Sequence, residues 1–353
     1  MKRIYLLTLL MTIFNQILNA EEIIYPAKLG DKYGYINSNG VFVIKPQFDE
    51  ADFFHEKKAF VKIAKNPYFI NEKGKNLFMI SYPWVYPVYF SNGYTKSYDN
   101  TCSYINNEGQ KVFDQDFAFC GDFTNGIASV KISKDQGYGI LNGKGILNSA
   151  PAVDCLWNHN EGYVAFSKDK KLGFLNLRGE IAISNIYGPI DDLSECINDE
   201  YKFSEDLAKV PFEDKFIYID KNGKPITNNT YKYASNFENG FAIVSTEDAD
   251  LNNQRQYSFI NKQEKIVFSI KATSVLQFKQ GLSIIEKTNE TFLWINTNFD
   301  IVAKKALPKS KHNILDFFDG KISRFSSIGN KVIEYEFVNN KGTVIYAWKE
   351  LVH

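Results

Sequence analysis

One short pattern constrains this chain more than any other feature: an aromatic residue, an aliphatic residue, Asn or Asp, two variable residues and Gly. It is seen first at Tyr35-Ile36-Asn37-Ser38-Asn39-Gly40. With the aliphatic residue as anchor, the pattern returns at Ile36, Ile70, Ile105, Leu141, Leu175, Ile219, Ile260, Ile295 and Val338, in steps of 34 to 44 residues. The preceding residue is aromatic in every copy but one, where Ile140 stands. The following residue is Asn throughout except for Asp220, and Gly closes each copy except where Glu264 and Phe299 replace it. Asn or Asp opens a turn by accepting the backbone N–H two residues on, and Gly at the fourth place accepts positive φ. Each copy therefore reads as a β-hairpin.

Aromatic residues also stand two positions before the aromatic place, at Tyr33, Tyr138, Phe216, Tyr257, Phe292 and Tyr335, which is the period of one strand face. About 20 residues after a hairpin comes a second element, clearest at 122–130, 236–244 and 277–285, with Phe, a Gly turn and alternating small and aliphatic residues. It reads as a turn entering a further strand. Each unit offers at least three short strands, and helical periodicity is missing beyond residue 20. The 29 Phe and 21 Tyr favour strands over helices in the same way.

These residues resemble the WG repeat family, also called KWG repeats, found in many exported bacterial proteins. The resemblance covers nearly the whole chain in about nine degenerate copies. The family's Trp-Gly pair appears here as Tyr33-Gly34, Tyr138-Gly139 and Leu172-Gly173, and its IxPxY segment survives best as Ile44-Lys45-Pro46-Gln47-Phe48. It implies a scaffold of antiparallel strands and no catalytic residues.

A unit of this size cannot bury its aromatic face alone, so neighbours must stack. The expected fold is all-β, about nine antiparallel hairpin-based units in a β-propeller-like array, with an open β-superhelix as the alternative. Closure removes exposed edges, which favours the ring; nine units exceed the usual blade number of about eight unless the ends share a blade.

The N-terminus carries Lys2-Arg3 and an apolar run from Ile4 to Leu18, about 15 residues, ahead of Asn19-Ala20. A membrane span needs roughly 20. Residues 1–20 are expected to be a signal peptide and residues 21–353 the repeat domain. Localisation would then be exported, whether periplasmic, cell-surface or secreted, with no transmembrane segment after signal removal. Removing Lys2 and Arg3 leaves 39 basic against 41 acidic residues, net −2. Such a balance gives no electrostatic footprint for nucleic acid.

Four cysteines, Cys102, Cys120, Cys155 and Cys196, allow three pairings in an oxidising compartment. Cys120 and Cys155 occupy nearly the same place in consecutive units, so a clip between them is the expected disulfide. No CxxC occurs and the four His are dispersed, so neither a metal nor a cofactor is expected. The run from Asp248 resembles the start of a calcium loop but lacks its Gly and its bidentate Glu.

The strongest departure from the repeat is Tyr82-Pro83-Trp84-Val85-Tyr86-Pro87-Val88-Tyr89-Phe90. Tyr82, Trp84, Tyr86 and Tyr89 form a candidate platform for sugar stacking or a partner's apolar patch, against the plainer reading of core packing. Three insertions follow: 186–200, rich in acid; 247–256; and 304–312, rich in Lys. Extra residues in repeats project on one face and often carry function. No GxSxG, HExxH, P-loop or Rossmann pattern occurs. The leading expectation is a non-enzymatic exported scaffold that binds a protein; the rivals are a carbohydrate- or peptidoglycan-binding module and, third, a hydrolase using carboxylates such as Asp191 and Asp192.

Overall fold

The computed structural model describes residues 23–80, 89–133, 135–190, 196, 200–279, 281–288, 291–306, 312–318, 322–328 and 332–351. They are all-β, with no helix among them. Nine hydrogen-bonded sheets occur among the described residues, spanning 25–48, 50–79, 95–105, 119–149, 155–187, 203–219, 233–272, 274–306 and 312–351, and are numbered 1 to 9 below. Six have four strands; sheet 1 lacks the first, sheet 6 the fourth and sheet 3 both, strands being named below by their place in the full meander, and within every sheet the strands pair antiparallel in chain order. This is a meander, repeated. In several full sheets the first strand is only two residues long, as in Glu50–Ala51, Phe119–Cys120 and Tyr233–Ala234. The fourth is longer and carries exposed aliphatics such as Val43, Met79, Ile181 and Ile301.

The repeated Asn or Asp accounts for the link between third and fourth strands. In all nine copies its side-chain oxygen accepts two backbone N–H groups, as Asn37 Oδ1 does from Asn39 and Val41 at 3.1 and 3.0 Å. The closing Gly has two reasons to be Gly. At Gly109, φ is +79°, and a Cβ would lie 2.6 Å from the Phe78 ring of the preceding sheet. The turn is thus pressed against its neighbour's fourth strand. The two exceptions put a side chain into that boundary instead. Phe299 stacks on Phe268 at 5.0 Å and 11°, and Glu264 takes a hydrogen bond from Asn229 Nδ2 at 3.1 Å.

Most of these boundaries are closed by one recurring aromatic contact. The residue before the anchor meets the Phe of the second element in the next sheet: Tyr35–Phe54 at 4.8 Å, Phe69–Phe90 at 4.9 Å, Tyr104–Phe123 at 4.9 Å, Phe174–Phe203 at 4.8 Å and Tyr218–Phe237 at 4.9 Å. Where Tyr stands, its hydroxyl also donates to a carbonyl of the next first strand or the residues after it, Tyr35 to Asp52, Tyr104 to Gly121 and Tyr218 to Ser235. At the one boundary with Ile140, His159 holds the Phe place. His159 is buried, with Nδ1 3.1 Å from Thr124 O and Nε2 accepting Gly162 N–H at 3.0 Å. Those partners fix a neutral tautomer.

The second element is a two-residue turn between first and second strands with positive φ at both central residues, as at Asn92 (52°) and Gly93 (81°) or Glu205 (57°) and Asp206 (73°). That is the type I′ geometry of tight hairpins. These turns touch from sheet to sheet. Glu56 accepts Asn92 and Gly93 N–H at 2.6 and 2.8 Å, Asn92 accepts Gly126 N–H at 2.9 Å, and Glu161 accepts Glu205 and Asp206 N–H at 2.6 and 3.0 Å. They therefore share one end of the molecule, the turn end. Strand alternation places the links from second to third strand, and from each sheet to the next, at the opposite connection end.

The ring closes. Sheets 9 and 1 keep separate ladders and pack as neighbours around Tyr25, Ala27, Ile36, Phe337 and Trp348. Tyr346 Oη donates to Lys28 O at 2.8 Å, Tyr33 Oη to the Glu350 carboxylate, and Lys28 Nζ lies 3.5 Å from Glu350 Oε1. A Cβ on Gly40 would meet Ile345 O at 2.2 Å, repeating the turn-on-strand contact of the other boundaries. The architecture is a β-propeller and the open superhelix is set aside; the ends meet without sharing a sheet.

The cysteines pair Cys102 with Cys120 and Cys155 with Cys196, correcting the expected Cys120–Cys155 clip. Equivalent places on successive first strands are not each other's nearest thiols. Cys102, on the third strand of sheet 3, faces the first strand of sheet 4 with Cα atoms 5.9 Å apart, inside disulfide range. This bridge does join consecutive sheets. The other fixes Cys196, in the acidic insertion, to sheet 5.

Candidate binding site

All four departures from the repeat fall in links at the connection end: 80–90 between sheets 2 and 3, 188–202 between 5 and 6, the link between second and third strands of sheet 7, and that between 8 and 9. Tyr82, Trp84 and Tyr86 lie outside the described residues, as do Asp191, Asp192 and Glu195. Tyr89 is half-buried; its hydroxyl donates to Asp122 Oδ2 at 2.6 Å and its ring lies 4.7 Å from that of His55. The insertion at 247–256 is organised by Asp250, whose Oδ1 accepts Asn252 and Gln254 N–H at 2.9 Å each while Oδ2 meets Lys271 Nζ at 2.7 Å. Asp250 is thus a turn residue of the same kind as Asn37. No cluster of three or more metal-ligating side chains occurs among the described residues.

A groove of about 560 Å³ runs along the first strands of sheets 6 and 7 and reaches sheet 8. Its walls include Glu200, Lys202, Lys209, Phe216, Tyr233 and Gln277. Lys209 stands where other sheets carry Ser129, Ala165, Phe60 or Ile243, and its long side chain crosses the boundary to Ala234. It is buried, its ammonium bonded to Glu200 Oε1 at 2.5 Å and Ala234 O at 3.3 Å and lying 5.5 Å from the Phe216 ring centre. Glu200 is the last residue of the acidic insertion, so that segment, fixed through Cys196, supplies the countercharge. Beside the groove, burial pushes the Tyr201 hydroxyl up to about 12, with Glu200 adding to it.

Across the groove Arg255 lies over the Tyr233 ring at 5.3 Å. Burial raises the Tyr233 hydroxyl, the neighbouring Tyr257 adds to this, and Arg255 opposes it. Burial likewise raises the Glu238 carboxyl, against the lowering charges of Lys279 and Lys202. Gln277 Nε2 donates to Ser235 Oγ at 2.6 Å and to Asn236 O. Apart from Glu200, at the end of the acidic insertion, and Phe216, on the aromatic strand face, the groove residues were not singled out in the sequence. Lys209 breaking the run Leu207-Ala208-Lys209-Val210 was the available signal.

A family model described as WG containing repeat matches residues 33–66, 103–134 and 218–248. Comparison with curated proteins finds no match. Among solved structures, one described as the eukaryotic initiation factor is 10% identical, with 94% of this chain and 97% of that chain covered and a TM-score of 0.64; it shows the fold alone. BamB from Moraxella catarrhalis is 9% identical over 92% of this chain and 96% of its own, with a TM-score of 0.41. The matched stretches begin at Tyr33, Ser103 and Tyr218, on the third strands of sheets 1, 3 and 6, and each runs through the turn that follows the anchor. On this recurrence and the meander it builds, the chain carries WG repeats at these three stretches and is folded as a β-propeller.

Proposed function

We propose that this chain is an exported, non-enzymatic repeat scaffold that binds another protein through its connection end. The observation that carries the reading is positional: every segment that lengthens the repeat is a link at that end, while the described turns at the turn end keep their length and bond to one another. Insertions on one face of a rigid array are where repeat proteins place recognition. The Cys155–Cys196 bridge and the Asp250 turn hold two of these segments on the ring.

The test uses residues 21–353 as bait against a solubilised envelope fraction, beside a variant whose 246–254 link is cut to Asn-Gly, the length found at Asp169-Lys170. A defined protein enriched by the native chain and lost with the shortened link is the expected result. Equal capture by both, or no enrichment, removes the reading. N-terminal sequencing of the exported chain should begin at Glu21; export with residues 1–20 retained would contradict the signal peptide.

A further inference from the structure

We propose that the groove along sheets 6 and 7 binds a neutral, hydroxyl-rich ligand, a short oligosaccharide. Its volume, about 560 Å³, lies within the roughly 300–1,000 Å³ of small-ligand sites. Its formal charges cancel, Lys202 and Lys209 against Glu200 and Glu238, and Lys209 is already paired to Glu200. Such a site gives no net pull on an ion.

It does present both halves of a hydrogen bond. An ammonium has three donors, and among the described residues Lys209 uses two, on Glu200 and Ala234 O. Tyr233 Oη has no hydrogen-bond partner among the described residues. Gln277 is held by its two Nε2 donations, to Ser235 Oγ and Asn236 O, and serves as part of the groove wall. Adjacent sugar hydroxyls each donate and accept, so one ligand satisfies both the remaining Lys209 proton and the Tyr233 hydroxyl, with Phe216 and Tyr233 as the apolar wall for its ring.

A peptide strand fits less well. The carbonyls of the strand it would extend are occupied: Ala234 O by Lys209, Ser235 O by Tyr218 Oη at 2.6 Å, Asn236 O by Gln277 and Ser235 Oγ, and Phe237 O by Ser204 Oγ at 2.6 Å. Strand addition depends on such groups being open. Recognition here rests on side chains.

The proposal is independent of the protein-binding reading, and its test separates the two. The purified chain is titrated calorimetrically with chitotetraose, maltotetraose and cellotetraose and applied to an array of neutral glycans. Tyr233→Phe, Lys209→Met and Lys209→Ala are run alongside, each checked by its melting curve. Tyr233→Phe removes one oxygen and keeps the ring, so it reports binding even where the other variants fail to fold. Binding of a neutral glycan is expected, weakened about tenfold by loss of a groove hydrogen bond, unchanged by 0.5 M NaCl, and retained when the 246–254 link is shortened. No neutral glycan bound at millimolar concentration, binding abolished by salt, unchanged affinity in all folded variants, or displacement by tetra-alanine each overturns it.

Discussion

Two buried titratable residues, His159 and Glu264, stand where the repeat has Phe and Gly, and they load the fold in opposite pH directions. Burial holds the His159 imidazole below its ordinary range, although its contact with Thr124 O opposes this. A group with a depressed folded pKa contributes its full stability above the unfolded value of about 6.5 and loses it as pH falls toward the folded value. His159→Phe, which restores the repeat's residue, should flatten the fall in melting temperature between about pH 6.5 and 5. An unchanged pH profile would show that His159 titrates freely. Burial pushes the Glu264 carboxyl up, against lowering hydrogen bonds from Asn229 and Tyr231. Its raised pKa makes the fold relatively more stable below about pH 4.3, with that margin lost as pH rises through the folded value. Glu264→Gln should therefore gain about 1 kcal/mol at pH 7 in urea unfolding, with little gain at pH 4.

At the scale of the element, the nine turns between third and fourth strands do two tasks at once. They reverse the chain, and seven of them press a bare Cα against the preceding sheet. Gly109→Ala meets both objections, a positive φ and a Cβ 2.6 Å from the Phe78 ring, and should cost about 2–3 kcal/mol. Asn106→Ala removes the acceptor for Glu108 and Gln110 N–H at 3.0 and 2.9 Å and should cost only about 1 kcal/mol. Equal costs for the two would mean that the inter-sheet contact adds nothing. The bridge between sheets 3 and 4 closes a loop of 18 residues. Replacing Cys102 and Cys120 together by Ser should cost about 3 kcal/mol on the chain-entropy model, and peptide mapping of the native chain should recover Cys102–Cys120 and no Cys120–Cys155 linkage.

For the whole molecule, closure depends on sheets 1 and 9 meeting as any other neighbours do, through Tyr33, Glu350 and Tyr346 at the rim and Tyr25, Phe337 and Trp348 inside. A compact particle of residues 21–353 should have a radius of gyration near 20 Å by X-ray scattering. A markedly larger value with an elongated distance distribution would mean the ring stands open in solution. The hairpin of each unit was legible in the sequence because it is local: Asn37 reaches only Asn39 and Val41, and Gly supplies its own φ. The aromatic place was legible for a related reason, since period-two alternation assigns a face without saying what covers it. Nothing local, however, tells which thiol Cys120 meets, that Ile36 packs with Phe337 at the far end of the chain, or that Lys209 and Glu200 face each other across a groove. Those outcomes depend on the angle and offset between neighbouring sheets, set by how their aromatic faces pack. The sequence by itself determined the repeated strand meander and its WG-type repeats; only the tertiary structure decided closure, disulfide pairing and the groove, because each brings together residues from separate units.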